Sequence, residues 1–118
     1  MLADNAYSLA EAAYNTGYQV RAIYLDDTVV GFMMWVPESS SRCSIWRFMV
    51  GAPHQGRGIG SAALELAIAE IRAQPGLREL EICYHPGNEA SRRLYARHGF
   101  IEQGLDADGD DMLAVLPL

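Results

Sequence analysis

The first half of the chain alternates apolar and polar residues in the way that β-strands require. Residues 20–25 and 29–36 are rich in β-branched and aromatic side chains, and the short polar connection at 26–28 predicts a β-hairpin between them. Residues 44–50 form a third predicted strand. Ahead of these strands, the alanine-rich residues 6–14 favour a short helix, which the polar, glycine-containing residues after it would end.

The second half mixes helical and strand periodicity. Leu64, Ala67, Ile68 and Ile71 recur at helical spacing and form one apolar stripe, and Asn88 is a suitable N-cap for a second helix. The predicted elements here are helices at 61–73 and 88–98 and strands at 79–84, 100–103 and 112–116. The order β-β-β-α-β-α-β-β predicts an α/β (α+β) fold, with a mixed, mostly antiparallel sheet and a central βαβ crossover.

Composition limits the classes of protein to consider. The 118 residues, half of them hydrophobic, suffice for a single domain spanning 1–118. A net charge of −6 argues against binding nucleic acid, and no apolar run suits a membrane span or signal peptide, so a cytoplasmic protein is expected. All nine basic residues are arginine, which excludes Schiff-base chemistry on lysine.

Two polar features have ordinary and functional interpretations. Five acidic residues crowd into residues 102–111, either as a solvated loop or as a negative surface that attracts a cationic substrate. The three histidines, His54, His85 and His98, do not have metal-ligand spacing with each other or with the two cysteines. We expect no metal site and no disulfide framework.

A glycine-rich segment that opens onto the first long helix is the strongest chemical signal. Gln55-Gly56-Arg57-Gly58-Ile59-Gly60-Ser61 follows the third strand and allows backbone N–H groups to converge on one ligand. The unpaired N–H groups and partial positive charge of a helix N-terminus suit a pyrophosphate. Alternatively, the glycine-rich segment is a tight turn that packs against the sheet and binds no ligand.

Two other phosphate-binding patterns fit less well. Gly51 and Gly56 have P-loop spacing, but Arg57 stands where that loop has lysine. Residues 58–63 fit the dinucleotide pattern G-x-G-x-x-A, although seven residues separate them from the strand end at Val50, where the turn should follow at once. Binding of a nicotinamide dinucleotide is therefore the least favoured of three functional hypotheses.

The glycine segment resembles the Q/R-x-x-G-x-G/A motif of the GCN5-related N-acetyltransferases (GNAT family). A second segment, residues 88–100, is similar to that family's N-x-x-A-x-x-L-Y-x-x-x-G-F element. The spermine/spermidine (polyamine) acetyltransferases are the most similar subgroup. The resemblance implies a GNAT-like fold, acetyl-CoA as cosubstrate and transfer of an acetyl group to a small-molecule primary amine.

The resemblance also implies roles for individual residues. Phe48, Met49 and Val50 would line the pantetheine arm, with a main-chain N–H near Val50 facing the thioester oxygen, and Tyr95 would be the general acid for the leaving thiolate. The remaining cofactor contacts implied are Gln55, Gly56, Arg57, Gly58, Ile59, Gly60 and Ser61 at the pyrophosphate and Asn88 and Ser91 at the cofactor's far arm. The resemblance assigns no base, and Glu81 with Tyr84 is the relay considered for that role.

The chain departs from the family pattern at its start. It lacks the first strand and helix that precede residues 6–14 in the family, which would leave the strand at 20–25 with an uncovered edge. We therefore expect a homodimer that covers this edge. The same departure, with the unassigned base, makes a catalytically weak acetyl-CoA binding or sensing module the second hypothesis, and it leaves the acceptor amine undetermined.

Overall fold

A computed structural model of the chain describes residues 7–11, 19–51 and 58–118. The described elements, in chain order, are β1 (Tyr7–Glu11), β2 (Gln19–Leu25), β3 (Thr28–Pro37), β4 (Arg42–Val50), α1 (Ile59–Arg72), β5 (Glu79–Tyr84), α2 (Glu89–Arg97), β6 (Ile101–Leu105) and β7 (Met112–Pro117). The strands form one sheet in the order β1-β2-β3-β4-β5-β7-β6. In this sheet only the β4–β5 pair is parallel, and α1 is the crossover between its two strands. The predicted mixed, mostly antiparallel sheet with a central βαβ crossover is confirmed.

The predicted helix at 6–14 is wrong where the structure describes it. Tyr7–Glu11 is strand β1 and pairs antiparallel with β2 from Tyr7 opposite Leu25 to Glu11 opposite Arg21. A helix of nine residues is marginal by itself, whereas the edge of β2 supplies hydrogen-bond partners along the whole segment. Residues 6 and 12–14 lie outside the described residues.

Strand β1 also corrects the expectation of an uncovered edge. Because β1 pairs with residues 21–25 of β2, that edge is already occupied within the chain. The homodimer remains a prediction, but the uncovered edge of β2 that was the reason for it is occupied by β1. Neither helix in the described part of the chain is long and apolar enough to span a membrane.

The core lies between the sheet and the two helices. The predicted apolar stripe of α1 is confirmed, since Leu64, Ala67, Ile68 and Ile71 are all buried. On β5, Leu80, Ile82 and Tyr84 are buried, while the residues between them are more exposed. The core-facing side of β5 is therefore the side that carries Tyr84.

Gly31 on β3 pairs with Val50 at the end of β4. A Cβ at position 31 would overlap the carbonyl oxygen of Met49. Any side chain there would therefore push the end of β4 away from β3.

We expect Gly31→Ala to lower the free energy of unfolding by roughly 1–3 kcal/mol, the usual cost of overpacking. Urea denaturation measures this loss. Val29→Ala is the matched control, because Val29 lies on the same strand with its side chain exposed. Equal stabilities of the two variants would show that β4 can move aside without cost.

Candidate active site

The parallel ladder between β4 and β5 ends after four residue pairs. It runs from Arg42 opposite Glu79 to Ile45 opposite Ile82, yet β4 continues to Val50 and β5 to Tyr84. A cavity of about 250 Å³ lies where the two strands diverge, and we call it the β4–β5 cleft. Four residues predicted for the site line this cleft, namely Phe48, Asn88, Ser91 and Tyr95.

A β-bulge in β4 coincides with the point of divergence. On β3, Met34 pairs with Arg47 and the next residue pairs with Ile45, so Trp46 is the extra residue on β4. A bulge bends its strand and shifts the alternation of side chains by one residue. Phe48 and Val50 consequently pack against the core on the same face as Ile45.

The bulge was not predicted, although the sequence contains a signal for it. The core positions Cys43 and Ile45 are two residues apart, but the next one, Phe48, is three residues further along. An interval of three within a strand of period two indicates an inserted residue. Of the three predicted β4 residues, Met49 alone has an exposed side chain, so its contribution to a ligand in the cleft would come from the main chain.

The N-terminus of α1 combines features that favour an anion. Its N-cap, Gly58, has φ 80° and no side-chain cap, and the first turn contains no acidic residue. The first N–H groups of a helix have no acceptor within the helix, and the helix dipole makes this end positive. Ile59 is buried in the core, so only its main chain faces the turn.

Gly60 and Ser61 hold α1 against its neighbours. A Cβ at Gly60 would lie 3.8 Å from Leu94 Cδ2 on α2 and 3.9 Å from Phe48 Cζ on β4. Ser61 Oγ and His98 Nε2 share a hydrogen bond of 2.9 Å, and burial lowers the pKa of His98, so its ring is neutral at pH 7. The Ser61 hydroxyl thus has a partner in His98, and the Ser61 main-chain N–H, which has no acceptor within the helix, suits a phosphate. Gln55, Gly56 and Arg57, the other predicted phosphate contacts, lie outside the described residues.

Asn88 caps α2 as predicted. Its Oδ1 accepts a hydrogen bond of 3.1 Å from the Ser91 N–H. Its amide Nδ2 has no partner among the described residues and is available to a ligand in the cleft. Asn88 and Ser91 therefore belong to one capping unit at the cleft wall.

Tyr95 is the described hydroxyl best placed to donate a proton in the cleft. Its side chain is 7% exposed and packs against Tyr84 and Phe100, with ring centroids 5.4 and 5.6 Å away. Burial raises the pKa of Tyr95 to about 12. No described residue hydrogen-bonds its hydroxyl, so at neutral pH the proton is present and not committed to a protein acceptor.

The considered relay through Glu81 and Tyr84 is not assembled. Alternation along β5 places these two side chains on opposite faces of the sheet, and Glu81 Oε1 accepts a hydrogen bond of 2.6 Å from Arg42 Nη1. The Tyr84 hydroxyl instead donates to Glu102 Oε2 at 2.5 Å. Glu102 was predicted only as part of an acidic run, because β6 and β5 are separated in sequence and meet only through the fold.

Among the described residues, no group of three or more histidine, cysteine, aspartate or glutamate side chains is arranged to hold a metal ion. Cys43 is buried and Cys83 is exposed, and both are free thiols. The cleft brings together β4, the Asn88 cap of α2 and a protonated tyrosine, and the N-terminus of α1 lies close to Phe48 at its wall. This combination suits an acyl donor with a phosphate-containing handle.

Comparisons with known proteins agree with this arrangement. The chain is 34% identical to the L-2,4-diaminobutyric acid acetyltransferase of Streptomyces avermitilis, over 63% of this chain and 45% of that protein. It is 26% identical to the spermine/spermidine N(1)-acetyltransferase of Bacillus subtilis, over 81% of this chain and 68% of that protein. The chain thus spans less than half the length of the first of these relatives.

Similarity to solved structures extends over nearly the whole chain. A GNAT family acetyltransferase from Elizabethkingia anophelis, crystallised with acetyl-CoA bound, superimposes with a TM-score of 0.82 at 13% identity. The match covers 95% of this chain and 98% of that one, which shows a shared fold. The family model described as "Acetyltransferase (GNAT) family" matches residues 3–100. Because that match spans most of the sequence, the chain belongs to the GNAT acetyltransferase family.

Proposed function

We propose that this chain is an acetyl-CoA-dependent N-acetyltransferase acting on a primary amine of a small molecule. The observation that carries the proposal is the β4–β5 cleft, which is lined by Phe48, Asn88, Ser91 and Tyr95, with Gly60 at the start of α1 close to Phe48. Acetyl-CoA would supply an activated acetyl group as a thioester. The protein would hold that thioester, exclude water, and transfer the two protons that the amine loses during the reaction.

The described residues suit the cofactor along its length. Phe48 lines the cleft, and the main chain of β4 there would accompany an extended pantetheine arm. The uncapped start of α1, with Gly58, Ile59, Gly60 and Ser61, supplies backbone donors for the pyrophosphate. Asn88 and Ser91 would contact the far arm. The oxyanion contact expected near Val50 stays a prediction.

Tyr95 is proposed as the general acid. Loss of the thiol is easier when a neighbouring donor protonates the leaving sulfur, and a neutral phenol can do so. A pKa of about 12 keeps the Tyr95 hydroxyl protonated until the thiolate, a stronger base than bulk carboxylates, forms beside it.

Direct attack by the amine fits the cleft better than a covalent acetyl-cysteine route. Cys83 lines the cleft, but burial and then the charges of Glu81, Asp106 and Asp111 raise the pKa of its thiol. A thiol rather than a thiolate is a poor nucleophile at pH 7. The acetyl group would therefore pass straight from sulfur to nitrogen.

The same carboxylates support a cationic acceptor. They act on Cys83, an exposed residue that lines the cleft, and their negative charge there would favour the approach of an ammonium group. The two relatives named above are acetyltransferases of diaminobutyrate and of spermine and spermidine. We propose a small diamine or polyamine, such as spermidine, as the acceptor.

Thiol release from acetyl-CoA tests the proposed function. The acceptor panel contains spermidine, spermine, 2,4-diaminobutyrate, simple diamines, an aminoglycoside and amino acids. We expect release that depends on a diamine or polyamine. Tight binding of coenzyme A with no release across the panel would instead identify a binding or sensing module, and binding of NAD in its place would contradict the family role.

We expect Gly58→Ala to weaken coenzyme A binding and to destabilise the fold by roughly 1–2 kcal/mol. The φ of 80° at Gly58 is strained for any residue with a Cβ, although no atom of the described residues other than its chain neighbours lies within 4 Å of the added methyl. Calorimetric titration with coenzyme A and denaturation measure the two effects.

Gly109→Ala is the matched control for that change. Gly109 has φ 76° and equally open surroundings, but it lies in the turn between β6 and β7. It should lose similar stability and keep its affinity for coenzyme A. Equal affinity in both variants would show that the Gly58 turn does not shape a phosphate seat.

We expect Tyr95→Phe to lower kcat by roughly 10²–10⁴-fold, as loss of a general acid does, while coenzyme A affinity stays the same. Steady-state kinetics with the best acceptor of the panel measures kcat. Tyr24→Phe on β2, away from the cleft, controls for the loss of a tyrosine hydroxyl. An unchanged kcat in Tyr95→Phe would remove the assignment of Tyr95 as the acid.

A further inference from the structure

A second cavity lies directly behind Tyr95. It has a volume of about 240 Å³, and its walls include Tyr84, Arg92, Tyr95 and Glu102. Tyr84 and Tyr95 also line the β4–β5 cleft, and their rings are in contact. The two tyrosines therefore form a shared wall between the cleft and the second cavity.

A chain of polar groups crosses this wall. The Tyr84 hydroxyl donates to Glu102 Oε2 at 2.5 Å, and Arg92 Nε lies 3.3 Å from the same oxygen. The Glu102 side chain is 36% exposed, so its carboxylate is in contact with solvent. The hydrogen-bonded pair thus runs from the cleft at Tyr84 to bulk water at Glu102.

The proposed reaction requires such a path. An alkylamine has a pKa around 10 and is mostly an ammonium ion at pH 7, so it must lose a proton before its nitrogen can attack. Acetylation converts R–NH₃⁺ and the thioester into the amide, the free thiol and one released proton. The thiol takes one proton through Tyr95, and the other must leave the cleft.

We propose that Tyr84 and Glu102 form the exit path for the ammonium proton of the acceptor, an inference that rests on the proposed acetyltransferase function. The ammonium proton passes, directly or through a water molecule, to the Tyr84 oxygen, while the proton of Tyr84 passes to the Glu102 carboxylate. Glu102 then releases that proton to solvent and Tyr84 ends as it began. The freed amine forms the N–C bond as the C–S bond breaks.

The groups around Tyr84 are consistent with a conducting role. The titratable or charged groups that face Tyr84 or share its cavities are Glu102 on β6, Arg92 and Tyr95 on α2, Arg47 on β4, Cys83 on β5 and His85 after β5. Burial and the hydrogen bond to Glu102 raise the pKa of Tyr84 to about 12. Tyr84 is therefore a neutral phenol at pH 7. Its oxygen can accept a proton only if its own proton passes to Glu102.

Two variants interrupt the path at different points. Tyr84→Phe removes the hydroxyl and keeps the ring, and Glu102→Gln keeps the shape and removes the proton acceptor at the solvent side. Glu89→Gln is the matched control, because Glu89 also pairs with Arg92, at 3.4 Å, without reaching Tyr84. Coenzyme A affinity of each variant reports whether the cleft is intact.

The readout is kcat/KM for spermidine between pH 7 and pH 9.5, measured by thiol release. We expect Tyr84→Phe and Glu102→Gln to lose about tenfold at pH 7, less than a group that touches the reacting atoms, and Glu89→Gln to match the unmodified chain. The loss should shrink toward pH 9.5, because more of the amine is then already neutral. If Tyr84→Phe fails to fold, Glu102→Gln makes the same prediction.

The possible results distinguish failure of the proton path from failure of the acetyltransferase function on which it rests. Turnover of spermidine with full activity in both variants, or an equal loss at every pH, would overturn the proton path and leave the acetyltransferase function standing. No amine-dependent turnover by the unmodified chain would overturn both. Loss of activity with loss of coenzyme A affinity in both variants would assign Tyr84 and Glu102 to packing and overturn the proton path as well.

Discussion

The structure depends on one constraint: β4 must leave β5 after Ile45. At the paired end of the two strands, Arg42 on β4 bridges Glu79 and Glu81 on β5, with its nitrogens 3.0 and 2.6 Å from their oxygens. The bulge at Trp46 follows directly on the last ladder pair, so the strand bends where pairing ends. One end of the strand pair is held together while the other opens, and the open end is the cleft.

The helices give that opening its chemistry. The Ser61–His98 hydrogen bond, and the short 3.8 Å that would separate a Cβ at Gly60 from Leu94, show that the start of α1 lies close to α2. The positive end of α1 therefore lies close to Phe48, which lines the cleft together with Tyr95. Because burial raises the pKa values of both Tyr84 and Tyr95 to about 12, the wall of the cleft carries neutral phenols at neutral pH. Proton transfer through these two phenols would follow their hydrogen bonds and does not need a permanently ionised side chain.

Local pattern was sufficient for most of the fold. The strands from β2 onward and both helices follow from alternation, helical spacing, the Asn88 cap and the turn residues between them. The segment that forms β1 was predicted as a helix because alanine favours helices locally, whereas its conformation is decided by pairing with β2. A single sequence contains that tertiary information only indirectly.

The candidate site, like the fold, could be predicted from the sequence only in part. Asn88, Ser91 and Tyr95 were identified from the second motif and Phe48 from the resemblance of its strand, and the fold brings the four to one cavity. The bond between Tyr84 and Glu102 could not be predicted, because it joins β5 to β6 across the register set by β7. The engagement of the Ser61 hydroxyl by His98 was missed for the same reason, since the two residues lie on different helices.

A crystal structure of the chain with coenzyme A tests the central claim most directly. The account predicts that the pantetheine arm lies between β4 and β5 beyond Ile45, with the pyrophosphate at the start of α1 and the sulfur toward Tyr95. Coenzyme A bound elsewhere, for example in the cavity beside Trp35 and Glu70 at the other end of α1, would contradict it. So would a complex in which the ladder between β4 and β5 closes beyond Ile82.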